Sequence, residues 1–195
     1  MKLILVAMAM ALPATALLAA PEKYTVDPSH SQVVFSYDHA GFSTTFGMFS
    51  GFEGEVMFDQ DRPENSSVTV SIATQALFTG WSARDEQFVA SGNFLDPVEF
   101  PVVTFASTGI EVTGEETALI TGDLTLNGVT RQVVLDARLN ALVEDYPFPP
   151  FNGKAAAGFS ATATLIRSDF NLGLYAPYIA DEVELDISIE AMKLN

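Results

Sequence analysis

The segment Val183-Glu184-Leu185-Asp186-Ile187-Ser188-Ile189-Glu190-Ala191 alternates apolar and polar residues without a fault. Successive side chains of a β-strand point to opposite faces of a sheet, so strict alternation predicts a strand with one buried face and one wet face. The same period recurs along the chain. Val33, Phe35, Tyr37 and His39 share a face, as do Phe52, Gly54, Val56 and Phe58, and then Val68, Val70 and Ile72. Val103-Thr104-Phe105 opens a strand that Ile110-Glu111-Val112 continues, and Ile120, Gly122, Leu124 and Leu126 run into Asn127-Gly128. Asn-Gly between alternating runs is the strongest short hairpin signal, because a tight turn of that type needs positive φ at both central residues. Val133, Leu135, Ala137 and Leu139 return from it, and Phe159, Ala161, Ala163 and Leu165 precede the last strand. Eight strands with short connections predict an all-β domain, closed into a barrel or folded as a two-sheet sandwich. A barrel removes exposed strand edges.

Two segments break the period. Trp81, Arg84, Asp85 and Phe88 fall at helical spacing between Gly80 and Ser91-Gly92-Asn93, which predicts a short helix over Ser82 to Ala90 with Ser82 as its N-cap. Asp145-Tyr146-Pro147-Phe148-Pro149-Pro150-Phe151-Asn152-Gly153 is too rich in proline for a ladder and reads as a loop carrying aromatics.

The amino terminus has the order of a secretory signal. Lys2 gives a positive start, Leu3 to Leu12 is an apolar run, and Pro13 and Ala14-Thr15-Ala16 form a small-residue cleavage region. That run is shorter than the roughly 20 residues a membrane-spanning helix needs. Residues 1–20 are therefore expected to be a signal peptide, cleaved between residues 16 and 20, and residues 21–195 a single exported domain bound for the periplasm. Without Lys2 the chain has 8 basic and 25 acidic residues, a balance that excludes nucleic acid and anionic membrane surfaces as partners. It has no cysteine, which removes disulfides, thiol catalysis and cysteine-ligated metals.

The residues offer little for catalysis. His30 and His39 are the only histidines and stand near opposite ends of one strand, about 30 Å apart at ~3.4 Å per residue, beyond the reach of one metal ion. Each is expected to serve a strand end or a ligand's polar head, and no metal or cofactor is expected. No G-x-S-x-G elbow or phosphate-binding glycine loop occurs. Asn65-Ser66-Ser67 matches a glycosylation sequon, a weak signal alone. The aromatics say more. Phe35, Tyr37, Phe52, Phe58, Phe105 and Phe159 lie on inward faces of different strands, where they either fill a core or line a ligand cavity.

In sequence the chain resembles the YceI-like family. The resemblance rests on Tyr24-Thr25-Val26-Asp27-Pro28-Ser29-His30-Ser31, on Phe35, His39, Gly41, Gly47, Phe49 and Gly54, and on Arg84-Asp85 with Phe94-Leu95-Asp96. Phe100-Pro101, Thr104-Phe105, the hairpin Gly122 to Thr130, Arg167-Ser168-Asp169-Phe170 and Asp181-Glu182-Val183 extend it to about Ala191. Asn171-Leu172-Gly173 departs from it, since many relatives carry Gly directly after the Arg-Ser-Asp-Phe run. Gln87-Phe88 is a second departure, where members usually have His or Leu. The resemblance implies an eight-stranded antiparallel, lipocalin-like barrel that encloses a long apolar lipid, such as a polyisoprenoid, an isoprenoid quinone or a fatty-acid-like chain. The inward phenylalanines would then line the lumen, and Tyr37, His39, Trp81 and Arg84 would meet the polar head. Other readings are an exported enzyme or accessory factor acting on lipids or quinones, and an outer-membrane barrel. Glu184, Asp186 and Glu190 on an outward face argue against the last. A homodimer is left open.

Overall fold

The computed structural model describes residues 20–90 and 94–194. The expected signal peptide up to residue 19, and the Ser91-Gly92-Asn93 end of the helix, lie outside the described residues. Among the described residues eleven strands form one antiparallel sheet: β1 (Glu22–Val26), β2 (Gln32–His39), β3 (Ser43–Ser50), β4 (Glu53–Phe58), β5 (Ser67–Ala73), β6 (Leu77–Phe78), β7 (Val102–Val112), β8 (Thr117–Leu126), β9 (Val129–Val143), β10 (Ala156–Ile166) and β11 (Glu182–Met192). Eight of them, in the order β1-β4-β5-β7-β8-β9-β10-β11, close on themselves through a β1–β11 pairing, while β2, β3 and β6 extend the wall from β11 at one end. One helix, α1 (Ser82–Ala90), lies at that end.

The expected antiparallel eight-stranded barrel with one short helix is therefore the fold, with one change in its membership. The strand read from Val33 to His39 does not itself close the ring. The five-residue β1, which is too short to show the period, does so by pairing with β4 and β11. Asn127 and Gly128 have φ of 50° and 75°, and Leu126 faces Val129 across them, the positive-φ pair that the Asn-Gly signal calls for. α1 begins as expected, but the Trp81 carbonyl accepts the first helical hydrogen bond, from the Asp85 N–H, which moves the N-cap to Trp81. The Asp85 carboxylate instead accepts the N–H and hydroxyl of Thr79.

Closure depends on how β1 hands over to β2. β11 runs unbroken, pairing Ala191 with Val26 below and Ser188 with Gln32 above. Between those points the partner chain makes the turn Asp27-Pro28-Ser29-His30. The Glu190 carbonyl accepts the Asp27 N–H at 2.8 Å, and the Glu190 N–H donates to the Ser31 hydroxyl at 3.2 Å. Side chains thus replace the missing ladder. Asp27, only 4% exposed, accepts the N–H and hydroxyl of Ser29 at 3.0 and 2.7 Å and bonds His30 Nδ1 at 2.7 Å. Burial pushes its carboxyl up, but the bonds from His30 and Ser29 outweigh that and hold it below the usual carboxylate range. His30 is raised in turn, first by its bond to Asp27 and then by the nearby charge of Glu190.

The two shifts predict opposite pH limbs. Asp27, lowered, contributes fully above about pH 4 and loses that as pH falls through its folded value. His30, raised, contributes fully below about pH 6.5 and loses that as pH rises through its folded value. In thermal melts, Asp27→Asn should trail the wild type clearly at about pH 6 and converge with it in strong acid. His30→Gln should trail it more at about pH 6 than at about pH 9. Gaps that stay constant with pH would show that this turn is not an ionic lock.

Candidate functional site

The barrel is plugged at one end and hollow at the other. At the plugged end Tyr24, Val56, Phe58, Ala157 and Ala191 form a buried cluster against which Phe159 packs. Phe58 meets Tyr24 and Phe159 edge to face, at ring separations of 6.3 and 5.7 Å. Above this floor lies a cavity of about 700 Å³, within the range of small-molecule sites and larger than packing voids.

Its wall is a gradient that the β2–β3 ladder shows rung by rung. Val33 faces Phe49, Phe35 faces Gly47, Tyr37 faces Thr45, and His39 faces Ser43. Each of these residues except Gly47 lines the cavity. From the deep rung to the outer one the lining passes from aliphatic and aromatic, through a phenol and a buried hydroxyl, to an exposed imidazole. Val70 and Ile72 of β5, Phe105 of β7, Leu124 of β8 and Ile187 of β11 complete the apolar depth. The Phe35 ring lies over Gly47, where any Cβ would collide with it.

At the mouth, α1 and the segment 167–181 arch over the barrel. Arg84 on α1 donates from Nε to the Thr79 hydroxyl at 2.9 Å and from Nη2 to the Thr79 carbonyl at 2.8 Å, with its guanidinium 6.0 Å from the Trp81 ring. Arg167 holds the opposite side. It donates to the carbonyls of Ala180, Leu174 and Ile179 at 2.8, 2.9 and 2.9 Å, and also to that of Leu172. The Ala180 N–H then reaches the Asp38 carbonyl at the end of β2, and Ile179 bridges His39. Phe42, Phe46, Phe78, Trp81, Tyr175 and Tyr178 are all more than half exposed at this end.

The site residues expected from the sequence divide accordingly. Phe35, Tyr37, His39, Phe52, Trp81, Arg84 and Phe105 line the cavity. Phe58 and Phe159 do not: they face inward, as the alternation says, but sit in the plug below the floor. Alternation tells which face a residue is on and nothing of its depth along the barrel. Sequence reasoning missed Arg167, Phe170, Leu172 and Tyr175, which line the cavity from an irregular segment with no period to read. The only sequence signal at Arg167-Ser168-Asp169-Phe170 is the family resemblance. His30 lies in the turn before β2, away from this lining, and bonds Asp27; the donor atoms of Asp27, His30 and Glu190 lie within 4.8 Å of one another. The 2.7 Å between His30 Nδ1 and Asp27 Oδ2 is a hydrogen bond, part of the closure seam.

A closed antiparallel barrel with a plugged floor, an apolar lumen and a polar mouth has the build of the ligand-enclosing barrels rather than of the solid-cored ones. Comparison with known proteins makes this particular. The model of the YceI-like domain matches residues 24–191, and the chain belongs to that family. It is 38% identical over 177 residues to a UPF0312 protein of Pseudomonas putida, covering 90% of this chain and 88% of that one. A UPF0312 protein of Pseudomonas savastanoi is likewise 38% identical over 185 residues, covering 92% and 93%. Among solved structures, Burkholderia cenocepacia BcnA superposes with a TM-score of 0.74 at 24% identity, over 85% of this chain and 99% of that one. A polyisoprenoid binding domain from Saccharophagus degradans superposes with a TM-score of 0.64 at 12% identity, over 87% and 98%. At these identities both show a shared fold.

Gly47→Ala tests how the lumen is shaped. The added methyl forces the Phe35 ring off its seat and into the cavity. The variant should fold, and its crystal structure should show a smaller lumen with Phe35 turned inward. An unchanged cavity would mean that the ring is not held by the missing side chain.

Proposed function

We propose that this protein is an exported carrier that holds one long apolar lipid in its barrel, chain in the lumen and head at the mouth, for transport or storage in the periplasm. The cavity of about 700 Å³, apolar in its depth and polar only at its opening, is the observation that carries this reading. An amphiphile with one long tail matches that gradient end for end. Each buried methylene contributes about 0.8 kcal/mol, so about ten of them gain about 8 kcal/mol before the cost of ordering the chain. Polar contacts at the mouth then need only select the head.

Two further observations support it. A solved structure named as a polyisoprenoid binding domain has the same barrel. The signal-like start Lys2 to Ala16 fits a protein working in an aqueous compartment beyond the inner membrane, where a lipid needs a water-soluble shell.

Native mass spectrometry of protein purified from its own host tests the reading. One apolar ligand per chain is expected, released by organic solvent and identifiable as a polyisoprenoid, a quinone or a fatty-acid-like molecule. A protein that arrives empty and then refuses both isoprenoids and fatty acids would exclude a carrier.

A further inference from the structure

The sign of charge at the mouth runs against that of the whole chain. The protein has 25 acidic and 9 basic residues, yet none of the 25 acids, all of which lie among the described residues, lines the cavity, whereas Arg84 and Arg167 both do. An apolar lumen alone would exclude both signs equally. Lys2 lies outside the described residues, so 25 acids stand against 8 bases there, and a mouth that merely sampled this surface would hold acids about three times as often as bases.

Four acids close in the chain to the mouth residues, Asp38, Asp85, Asp96 and Asp181, are tied into turns, while Glu86 and Asp169 stand at exposed positions outside the lining. Asp38 accepts the Gly41 N–H at 2.7 Å, and Asp85 holds Thr79. Asp96 accepts the N–H groups of Val98 and Glu99, and Asp181 accepts the N–H and hydroxyl of Ser168. Each of these four carboxylates is committed to a backbone or hydroxyl donor. The two arginines differ in what they have left. Arg167 spends its donors on four carbonyls, so it acts as a fixed positive charge in the wall. Among the described residues Arg84 donates only to Thr79, from Nε and Nη2, which holds the guanidinium in one orientation in the cavity lining. Beside it the lining adds the hydroxyls of Tyr37, Ser43 and Thr45.

We infer that the bound lipid carries an anionic head, a carboxylate or a phosphate, received by Arg84 at the mouth in the positive field of Arg167. This rests on the carrier reading and refines it: a neutral alcohol, amide or quinone head would leave a fixed guanidinium facing a group that cannot neutralise it. A planar guanidinium forks onto carboxylate and phosphate oxygens, which suits both heads.

Trp81 is the chain's single tryptophan and lines the mouth 62% exposed, beside Arg84, so its emission reports on the head. Delipidated full mature protein is titrated with hexadecanol, palmitate and hexadecyl phosphate, three probes that share a chain and differ in the head. One or both anions should bind about tenfold tighter than the alcohol, the scale of one charge-assisted hydrogen bond. Whichever anion leads names the head. Arg84→Gln should bring the anion-to-alcohol ratio close to one, and Arg84→Lys, which keeps charge without the fork, should hold an intermediate ratio. If Arg84→Gln does not fold, the wild-type ratio should still fall as salt is raised. An alcohol that binds as well as the anions overturns the inference while leaving the carrier standing. So does an Arg84→Gln variant that weakens all three probes by the same factor. Failure of all three to bind overturns this inference, and the carrier reading falls with it only where added isoprenoids are refused as well.

Discussion

The seam between β1 and β2 is the constraint on which the rest depends. A barrel of this kind needs its last strand to meet its first, and β11 meets two strands in succession, β1 near the floor and β2 toward the mouth. The chain between them cannot remain extended, because Pro28 removes a donor and the turn at Asp27 redirects the backbone. Buried side chains supply what the ladder lacks: Asp27 gathers Ser29 and His30, and the Ser31 hydroxyl, 1% exposed, takes the Glu190 N–H. With no disulfide to hold this joint, hydrogen bonding does so. The bend also lets β2 and β3 rise past the ring to form the outer wall of the cavity.

Because the wall is made this way, depth in the barrel is written along β2 and β3. Four consecutive inward rungs carry the change from apolar to polar, and two separate strands must change together, Val33 with Phe49 and His39 with Ser43. The lumen can stay empty of side chains for a related reason. The Phe35 ring takes the space that a Cβ at Gly47 would need, and the Phe105 ring that of a Cβ at Gly122. Small residues on neighbouring strands thus convert bulky inward aromatics into wall. The plug does the reverse, letting Tyr24, Phe58 and Phe159 meet edge to face and fill the section.

This explains what could be read from the residues and what could not. Period two identifies faces, so the long strands β7 to β11, the Asn127-Gly128 turn and the helix at Ser82 were all legible. β1 and β6 were not, since five and two residues carry too little pattern, and β3 was hidden by Ser43-Thr44-Thr45, polar on both faces. Of the inward phenylalanines, Phe35, Phe52 and Phe105 line the cavity while Phe58 and Phe159 fill the plug, a division set by strand stagger that no single strand records. Arg167 was beyond reach for another reason. Its four carbonyl partners lie between Leu172 and Ala180, and only the folded arch brings them round one guanidinium.

The arch also shows why an acidic protein can keep a positive mouth. Outward strand faces carry acids such as Glu184 and Asp186, which keep the shell in water. Acids near the opening would be equally soluble but would repel an anionic head and compete for the arginines. The carboxylates of Asp38, Asp85, Asp96 and Asp181 are instead drawn into turns, where they accept backbone N–H groups. The same contacts that shape the rim, Asp85 on Thr79 and Asp181 on Ser168, hold these carboxylates outside the cavity lining. Asp85 and Arg84 then share Thr79 without pairing with each other: the carboxylate takes its N–H and hydroxyl hydrogen, the guanidinium its two oxygens. One threonine thereby holds the guanidinium that lines the cavity and keeps the neighbouring carboxylate out of the lining, so the charged side chains in contact with the cavity are cations.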